Sequence, residues 1–294
     1  MNRRDLLAGA GLLGTFAPFI SFAQQKMPRR AIPGTDDSLP IMGLGNARVF
    51  SEGDEQSTSE LLGILIDHGG AYVDCSGPSI NTVGTVANRE GLSDQLFLGT
   101  YIQRAEDAGD RSAARAFIDV QGKPQLDLVV TRNVDDYTRR ADSFRALKEE
   151  GLTRFVGVAR ASKDYHEPMM QLMQAGAVDF IQVNYSMLEP EAEERLLPMA
   201  QDLGVAILTN RPFINGRYFS LVSDQPLPEW ASDFDCDTWA KFSLKYILSH
   251  PAVTCTLTET SNPRHALDNL GAGLGRLPDE ATRKRMRETL LSMV

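Results

Sequence analysis

From residue 40 to the C-terminus the chain keeps one rhythm: a short apolar run of strand length, then a longer amphipathic segment, with no change of composition along the way. Apolar runs too short for helices, separated by helical patterns rather than tight turns, describe parallel strands joined by helical crossovers. Eight such runs fall at 40–44, 71–75, 96–101, 126–131, 154–159, 179–184, 205–209 and 254–257. Eight βα units in one chain predict an α/β fold closed into a (β/α)8 TIM barrel, a single domain over residues 24–294.

The intervening segments carry helix signals. Residues 57–68 are apolar at Leu61, Leu62, Leu65 and Ile66, while 136–149 and 189–202 set Leu and Ala on one face and charges opposite. Gly69, Gly151 and Gly204 follow as C-terminal caps. Ahead of the first strand, 31–40 reads as a β-hairpin turning at 34–37 and flooring the barrel, and a C-terminal helix ends the chain. The long irregular stretch 211–235 contains Phe213, Ile214, Tyr218, Phe219, Leu221, Trp230 and Phe234, which favours a packed lid over disorder.

A formal net charge of −9 argues against a nucleic-acid backbone or an anionic bilayer as partner, since both reward clustered Lys and Arg. Cys75, Cys236 and Cys255 lack CxxC spacing, and His68, His166, His250 and His265 are far apart, so neither a disulfide scaffold nor a metal site is indicated. Residues 1–23 stand apart: Arg3 and Arg4 precede Leu6 and Leu7, an uncharged apolar stretch follows from Ala8, and Ser21, Phe22 and Ala23 form a cleavage signal. The pattern resembles the twin-arginine signal, which engages an export machinery for folded proteins and implies a periplasmic or otherwise exported product without a membrane span after cleavage. An uncleaved anchor is the alternative, weakened by the shortness of the run and its Gly and Pro content.

Several segments, in order, resemble the aldo-keto reductase family, in particular its twin-arginine-exported branch. They are Leu39 to Gly45 (LPIMGLG), Gln182 to Ser186 (QVNYS) running on to Arg195 to Ala200 (RLLPMA), Asn210 to Phe213 (NRPF), Tyr246 to Cys255 (YILSHPAVTC), and Asp268 to Ala272 with Gly275 to Asp279. The resemblance implies hydride transfer from NADPH to a carbonyl carbon, with a tyrosine as proton donor, a lysine paired to an aspartate lowering its pKa, and a histidine orienting the substrate oxygen. Only the aspartate has a counterpart, Asp74. Ser79 falls at the tyrosine position, Tyr101 at the lysine and Arg132 at the histidine. A serine hydroxyl is too weak an acid to replace a phenol. Tyr101 activated by Arg132 would be a relocated acid; alternatively both fill the cavity and Arg132 neutralises Asp74.

For the cofactor, the resemblance places Gln182 and Asn184 on the nicotinamide amide, with Tyr185 stacking on its ring. It places Thr260 and Ser261 on the phosphates, Arg264 on the 2′-phosphate and Asn269 on the adenine. Against NADP stand Ala159-Arg160, where the family has a carboxamide clamp of Ser-Asn, and Glu259, where it has a small glycine and where a carboxylate repels pyrophosphate. Three readings follow: a family protein without reductase activity that binds a small-molecule ligand, an anionic one if Arg132, Arg160 and Arg211 ring the cavity; a divergent NADP-dependent reductase of a carbonyl compound or quinone; or an interaction module whose cavity is blocked by Tyr101, Arg132, Arg160 and Glu259 pointing inward.

Overall fold

The computed structural model describes residues 26–45, 49–50, 54–103 and 105–293; the export signal expected at 1–23 lies outside them. Strands β1 (Arg29–Ala31) and β2 (Ser38–Pro40) form the antiparallel hairpin, with Arg30 opposite Leu39 and the turn passing through Gly34 at φ +73°. Eight parallel strands follow: β3 (Met42–Leu44), β4 (Tyr72–Cys75), β5 (Phe97–Tyr101), β6 (Leu126–Thr131), β7 (Thr153–Arg160), β8 (Phe180–Asn184), β9 (Ala206–Asn210) and β10 (Cys255–Thr258). They pair in chain order and β10 returns to β3, so the sheet closes into the expected TIM barrel. Strand ends differ from the sequence reading by one or two residues, chiefly because Pro40 belongs to the hairpin.

Side chains alternate across each strand, so every second residue enters the barrel. The hairpin contributes Ile32 and Leu39 as its floor. Above them Tyr72, Phe97, Phe155 and Phe180 fill the lumen, with Phe155 and Phe180 5.4 Å apart edge to face and Tyr72 and Phe97 5.8 Å apart stacked. These rings fit because neighbouring strands give way: a Cβ on Gly99 would lie 2.1 Å from the Tyr72 hydroxyl oxygen. The outward residues, such as Val73, Leu98, Val129, Ile181 and Ile207, pack under the surrounding helices.

Those helices are α1 (Glu55–Asp67), α2 (Ser79–Arg89), α3 (Ala105–Asp110), α4 (Ser112–Gln121), α5 (Val134–Arg139), α6 (Ala141–Glu149), α7 (His166–Gln174), α8 (Leu196–Leu203), α9 (Arg217–Val222), α10 (Trp239–Leu248), α11 (Pro263–Gly271) and α12 (Glu280–Leu291). Two segments read as continuous are broken. The helix expected at 136–149 splits into α5 and α6 at Arg140, whose φ of −135° is not helical, and Tyr137 and Phe144 stack across the break at 4.6 Å. The helix expected at 189–202 begins as a 3-10 turn at Glu191–Glu193 and resumes as α8 after Arg195, because Glu193 is drawn inward. The stretch 211–235 is also less irregular than its sequence suggests. It contains α9 and a second 3-10 segment, Glu229–Phe234, and buries Ile214, Tyr218, Val222 and Phe234 as a packed lid requires.

The inward turn of Glu193 ties the C-terminal helix to the barrel. Its Oε1 accepts from the Tyr185 hydroxyl, from the Tyr246 hydroxyl at 2.8 Å and from Arg283 Nη2 at 2.6 Å. The Arg283 guanidinium also lies over the Tyr246 ring, 4.7 Å from its centroid. Removing one partner of a largely buried, hydrogen-bonded ion pair strands the rest. Arg283→Ala should therefore cost about 3 kcal/mol in urea unfolding, whereas Arg287→Ala, whose Nε reaches only the Met187 carbonyl oxygen, should cost about 1 kcal/mol. Equal costs would mean that the Glu193 cluster contributes nothing special.

Candidate functional site

In a (β/α)8 barrel, side chains at the C-terminal strand ends converge on one mouth, and there a polar group can stand inside an apolar lumen. Asp74, on β4 in phase with Tyr72, is that group: it is 2% exposed. Its Oδ1 accepts from the Tyr72 hydroxyl at 3.4 Å, and its Oδ2 from the Tyr101 hydroxyl at 3.2 Å and from Gln182 Nε2 at 3.3 Å. The Tyr101 hydroxyl also lies 3.1 Å from Gln182 Oε1, so its single proton is shared between two acceptors. No cation is bonded to the carboxylate among the described residues. Desolvation raises the Asp74 pKa from 3.8 to about 6, opposed in turn by the Gln182 bond, the nearby charge of Arg132 and the Tyr101 bond. Burial likewise pushes Tyr101 well above the ordinary phenol value and the Asp74 charge adds to the shift, while Arg132 opposes it through its charge and a side-chain hydrogen bond.

Arg132 does not pair with Asp74. Its guanidinium lies on the Tyr101 ring, 4.5 Å from the centroid, and the residue is exposed at the mouth. The expectation that it neutralises Asp74 is corrected to that of a nearby charge, held off by the ring it stacks on. Ser79, expected at the tyrosine position, is 2% exposed and closes the turn into α2: its hydroxyl donates to the Ser76 carbonyl at 2.8 Å and accepts from the Ser76 amide at 2.9 Å. It does not contact Asp74.

Two of the arginines expected to ring the cavity are also committed elsewhere. Ala159 is the inward residue at the end of β7, so Arg160 falls on the other face, and it stacks on Tyr165 at 3.9 Å. Arg211 donates to the Ala161 carbonyl at 3.0 Å and sits 3.7 Å from Glu189. The blocked-cavity reading therefore loses Arg160 as an inward plug.

The residues expected to hold a dinucleotide are separated by the same parity. Gln182 belongs to the Asp74 network. Asn184 donates to Glu189 Oε2 at 2.8 Å, and its side chain also interacts with the His166 ring. Tyr185 is fully buried, packed 6.0 Å from Tyr246 and 5.8 Å from His250, so the structure does not bring it together with Gln182 at the mouth. At the phosphate end, α11 opens after Asn262 as expected, with two of its amides taken up by local caps. Asn262 Oδ1 caps the Arg264 amide at 2.9 Å and Thr260 Oγ1 accepts from the Asn262 amide at 3.1 Å. Ser261 and Arg264 are exposed. Glu259 runs across the end of β3, where a Cβ on Gly45 would be 2.6 Å from its Cγ. With the Asn184 amide tied to Glu189, Tyr185 turned away and a carboxylate beside the phosphate position, these residues do not fit NADP in the expected way.

Beside α11 lies a cleft of about 460 Å³ lined by Phe213, Phe219, Trp239, Glu259, Asp268 and Asn269 among others. A second hollow of about 600 Å³ at Thr260 to Asn262 shares Glu259, Thr260 and His265 with it. Sequence reasoning missed both this aromatic wall and Tyr72. The second had a usable signal, since period two puts Tyr72 on the same face as Asp74. The first had none, because the wall joins Phe213 and Phe219 of the 211–235 stretch to Trp239 of α10.

A model described as the Aldo/keto reductase family matches residues 42–285. An 82-residue stretch is 30% identical to the NADH-specific methylglyoxal reductase of Escherichia coli (strain K12), spanning 28% of this chain and 24% of that protein. The aldo-keto reductase AKR11C1 from Bacillus halodurans, in its holo form, superimposes with a TM-score of 0.72 at 20% identity over 90% of this chain and 96% of its own. An aldo/keto reductase from Klebsiella pneumoniae in complex with NADP and acetate gives 0.69 at 20% identity over 85% and 92%. At these identities the structures share the fold.

The buried carboxylate has a thermodynamic signature. Its folded pKa of about 6 exceeds its ordinary 3.8, so the folded state holds the proton more tightly. The favourable contribution is complete below pH 3.8 and is lost as pH rises through 6. The interval is worth about 3 kcal/mol. Asp74→Asn, a mimic of the neutral acid, should unfold at higher denaturant than the parent at pH 7 and flatten the stability profile between pH 4 and 6. An unchanged profile would show that Asp74 is not desolvated.

Proposed function

Because the chain belongs to the aldo/keto reductase family, we propose that it keeps the barrel mouth as a binding site for a small ligand while lacking the proton relay that reduction requires. The observation that carries this reading is the set of partners around Asp74: two phenols and a carboxamide, with no ammonium. A lysine beside the aspartate would favour phenolate and bring a tyrosine into the range of a useful acid. Here the Tyr101 phenol is driven the other way by burial and by the carboxylate, with Arg132 opposing them to a smaller extent. Arg132, exposed above Tyr101, presents the planar donor set that suits a carboxylate or phosphate on a small molecule.

A second reading, that of a divergent NADP-dependent reductase, draws on one contact: the Tyr101 hydroxyl, 3.2 Å from Asp74 and 3.1 Å from Gln182, is aligned for proton transfer. It requires the cofactor to be held, and the residues above do not favour that. The two readings part in one assay. With NADPH or NADH and methylglyoxal, the purified protein should oxidise no cofactor above background, and millimolar NADPH should leave its thermal midpoint unmoved. Turnover that falls at least about a hundredfold in Tyr101→Phe would instead establish the relocated acid.

Residues 1–23 support export of the folded protein through the twin-arginine route. Arg3→Lys combined with Arg4→Lys should retain the protein in the cytoplasm on cell fractionation. Continued export of that variant would remove the twin-arginine assignment.

A further inference from the structure

Asp74 and Arg132 both rest on Tyr101. The carboxylate accepts from its hydroxyl at 3.2 Å, and the guanidinium lies on its ring, 4.5 Å from the centroid. One of the two is 2% exposed and the other is open to solvent. Of the groups that face Asp74, Tyr72 and Tyr101 are phenols and Cys75 a thiol, all kept neutral by burial, and Glu259 is a second carboxylate from the end of β10. Arg132 is the cation that acts on it. Little water stands inside the barrel mouth to screen that attraction, so a change of charge at Arg132 is felt at Asp74.

The hydrogen bonds around Asp74 also have a second complete arrangement. With the carboxylate ionised, the Tyr101 hydroxyl donates to Oδ2. The same hydroxyl lies 3.1 Å from Gln182 Oε1, so it can turn its proton to the carboxamide and accept, on its oxygen, from an Oδ2 that has taken up a proton. Gln182 Nε2 and the Tyr72 hydroxyl can donate to the carboxyl group in either state. No heavy atom has to move and no buried polar group loses its partner, so the site takes up a proton without rearranging the fold.

We propose that a small monoanion held by Arg132 is bound together with a proton, taken from solvent onto Asp74. The proposal rests on the anion-binding reading of the mouth given above and adds to it the way pH governs occupancy. An anion at the guanidinium cancels the charge that favours the ionised carboxylate, and is itself repelled by that carboxylate. Protonation of Asp74 removes both penalties. The direction follows: the bound anion raises the Asp74 pKa above its value of about 6, so binding tightens as pH falls through that region and levels off once the carboxyl is neutral in both states.

The test uses methanesulfonate, whose single charge is constant over the pH range examined, with dimethyl sulfone as its neutral counterpart. Calorimetric titration of the unaltered protein should show methanesulfonate binding at least about threefold more tightly at pH 5 than at pH 7.5, with no such change for the sulfone. Titration at pH 6 in two buffers of different ionisation enthalpy should show net uptake of a fraction of a proton. Arg132→Ala should abolish binding of the anion. Asp74→Asn, neutral at every pH, should bind it at both pH values as tightly as the unaltered protein does at pH 5. Equal affinities of the unaltered protein at the two pH values, or a pH dependence that persists in Asp74→Asn, would overturn the proposal and leave the anion site standing. Absence of binding at either pH, or binding that survives Arg132→Ala, would remove the anion site at Arg132 and the proposal with it.

Discussion

A carboxylate stands in the lumen of this barrel with no cation bonded to it, and much of the interior is arranged around that fact. Water is excluded, so the charge must be met by hydrogen bonds or removed by protonation. Tyr72 rises from the ring layer below, Tyr101 comes from the neighbouring strand and Gln182 from across the barrel, and together they give Asp74 three donors. Each donor reaches only because something else yields. Gly99 leaves the space for the Tyr72 ring, and Arg132 leaves the carboxylate alone to cover the face of Tyr101. The result is a closed polar cap on an aromatic column.

That cap is the ground for the proposed loss of reduction, since a family fold need not carry the family chemistry. Reduction of a carbonyl asks for a proton donor whose acidity is tuned upward by a neighbouring cation. With tyrosine on β5 beside it, Asp74 is met by hydroxyl and amide dipoles and leans toward its neutral form, while the Tyr101 hydroxyl is held as a donor to it. The hydrogen bonds around Asp74 and the raised pKa values of Asp74 and Tyr101 have one cause, a low-dielectric site supplied with dipoles instead of charge.

The barrel was legible from the sequence because its determinants are periodic. Alternation along each strand and the eightfold return of strand and helix are properties of the chain itself, and β6 emerges with the limits expected of it. What period two also dictates, but motif comparison obscures, is orientation: it sends Gln182 inward and Arg160 outward whatever role a matching motif assigns them. Tyr185 sits next to a true inward residue and is for that reason on the wrong face. The helix breaks at Arg140 and Arg195 were not legible, since they depend on partners far along the chain, notably Arg283 for the turn that Glu193 completes. The aromatic cleft is of the same kind, assembled from the lid, the start of α10 and α11.

Glu259 links the two halves of the site. Its stem occupies the space over Gly45, its charge lines the cleft, and its field acts on Asp74 at the mouth. A cation placed in the cleft would offset that field, lower the Asp74 pKa and strengthen the hydrogen bonds that Tyr101 and Gln182 give to the ionised carboxylate. Occupancy of the cleft and the protonation state of the mouth are therefore thermodynamically coupled, and by reciprocity a protonated Asp74 would bind the cation less tightly. A single acidic side chain at the end of β10 thus makes the cleft and the mouth answer to each other through charge, with no moving part required.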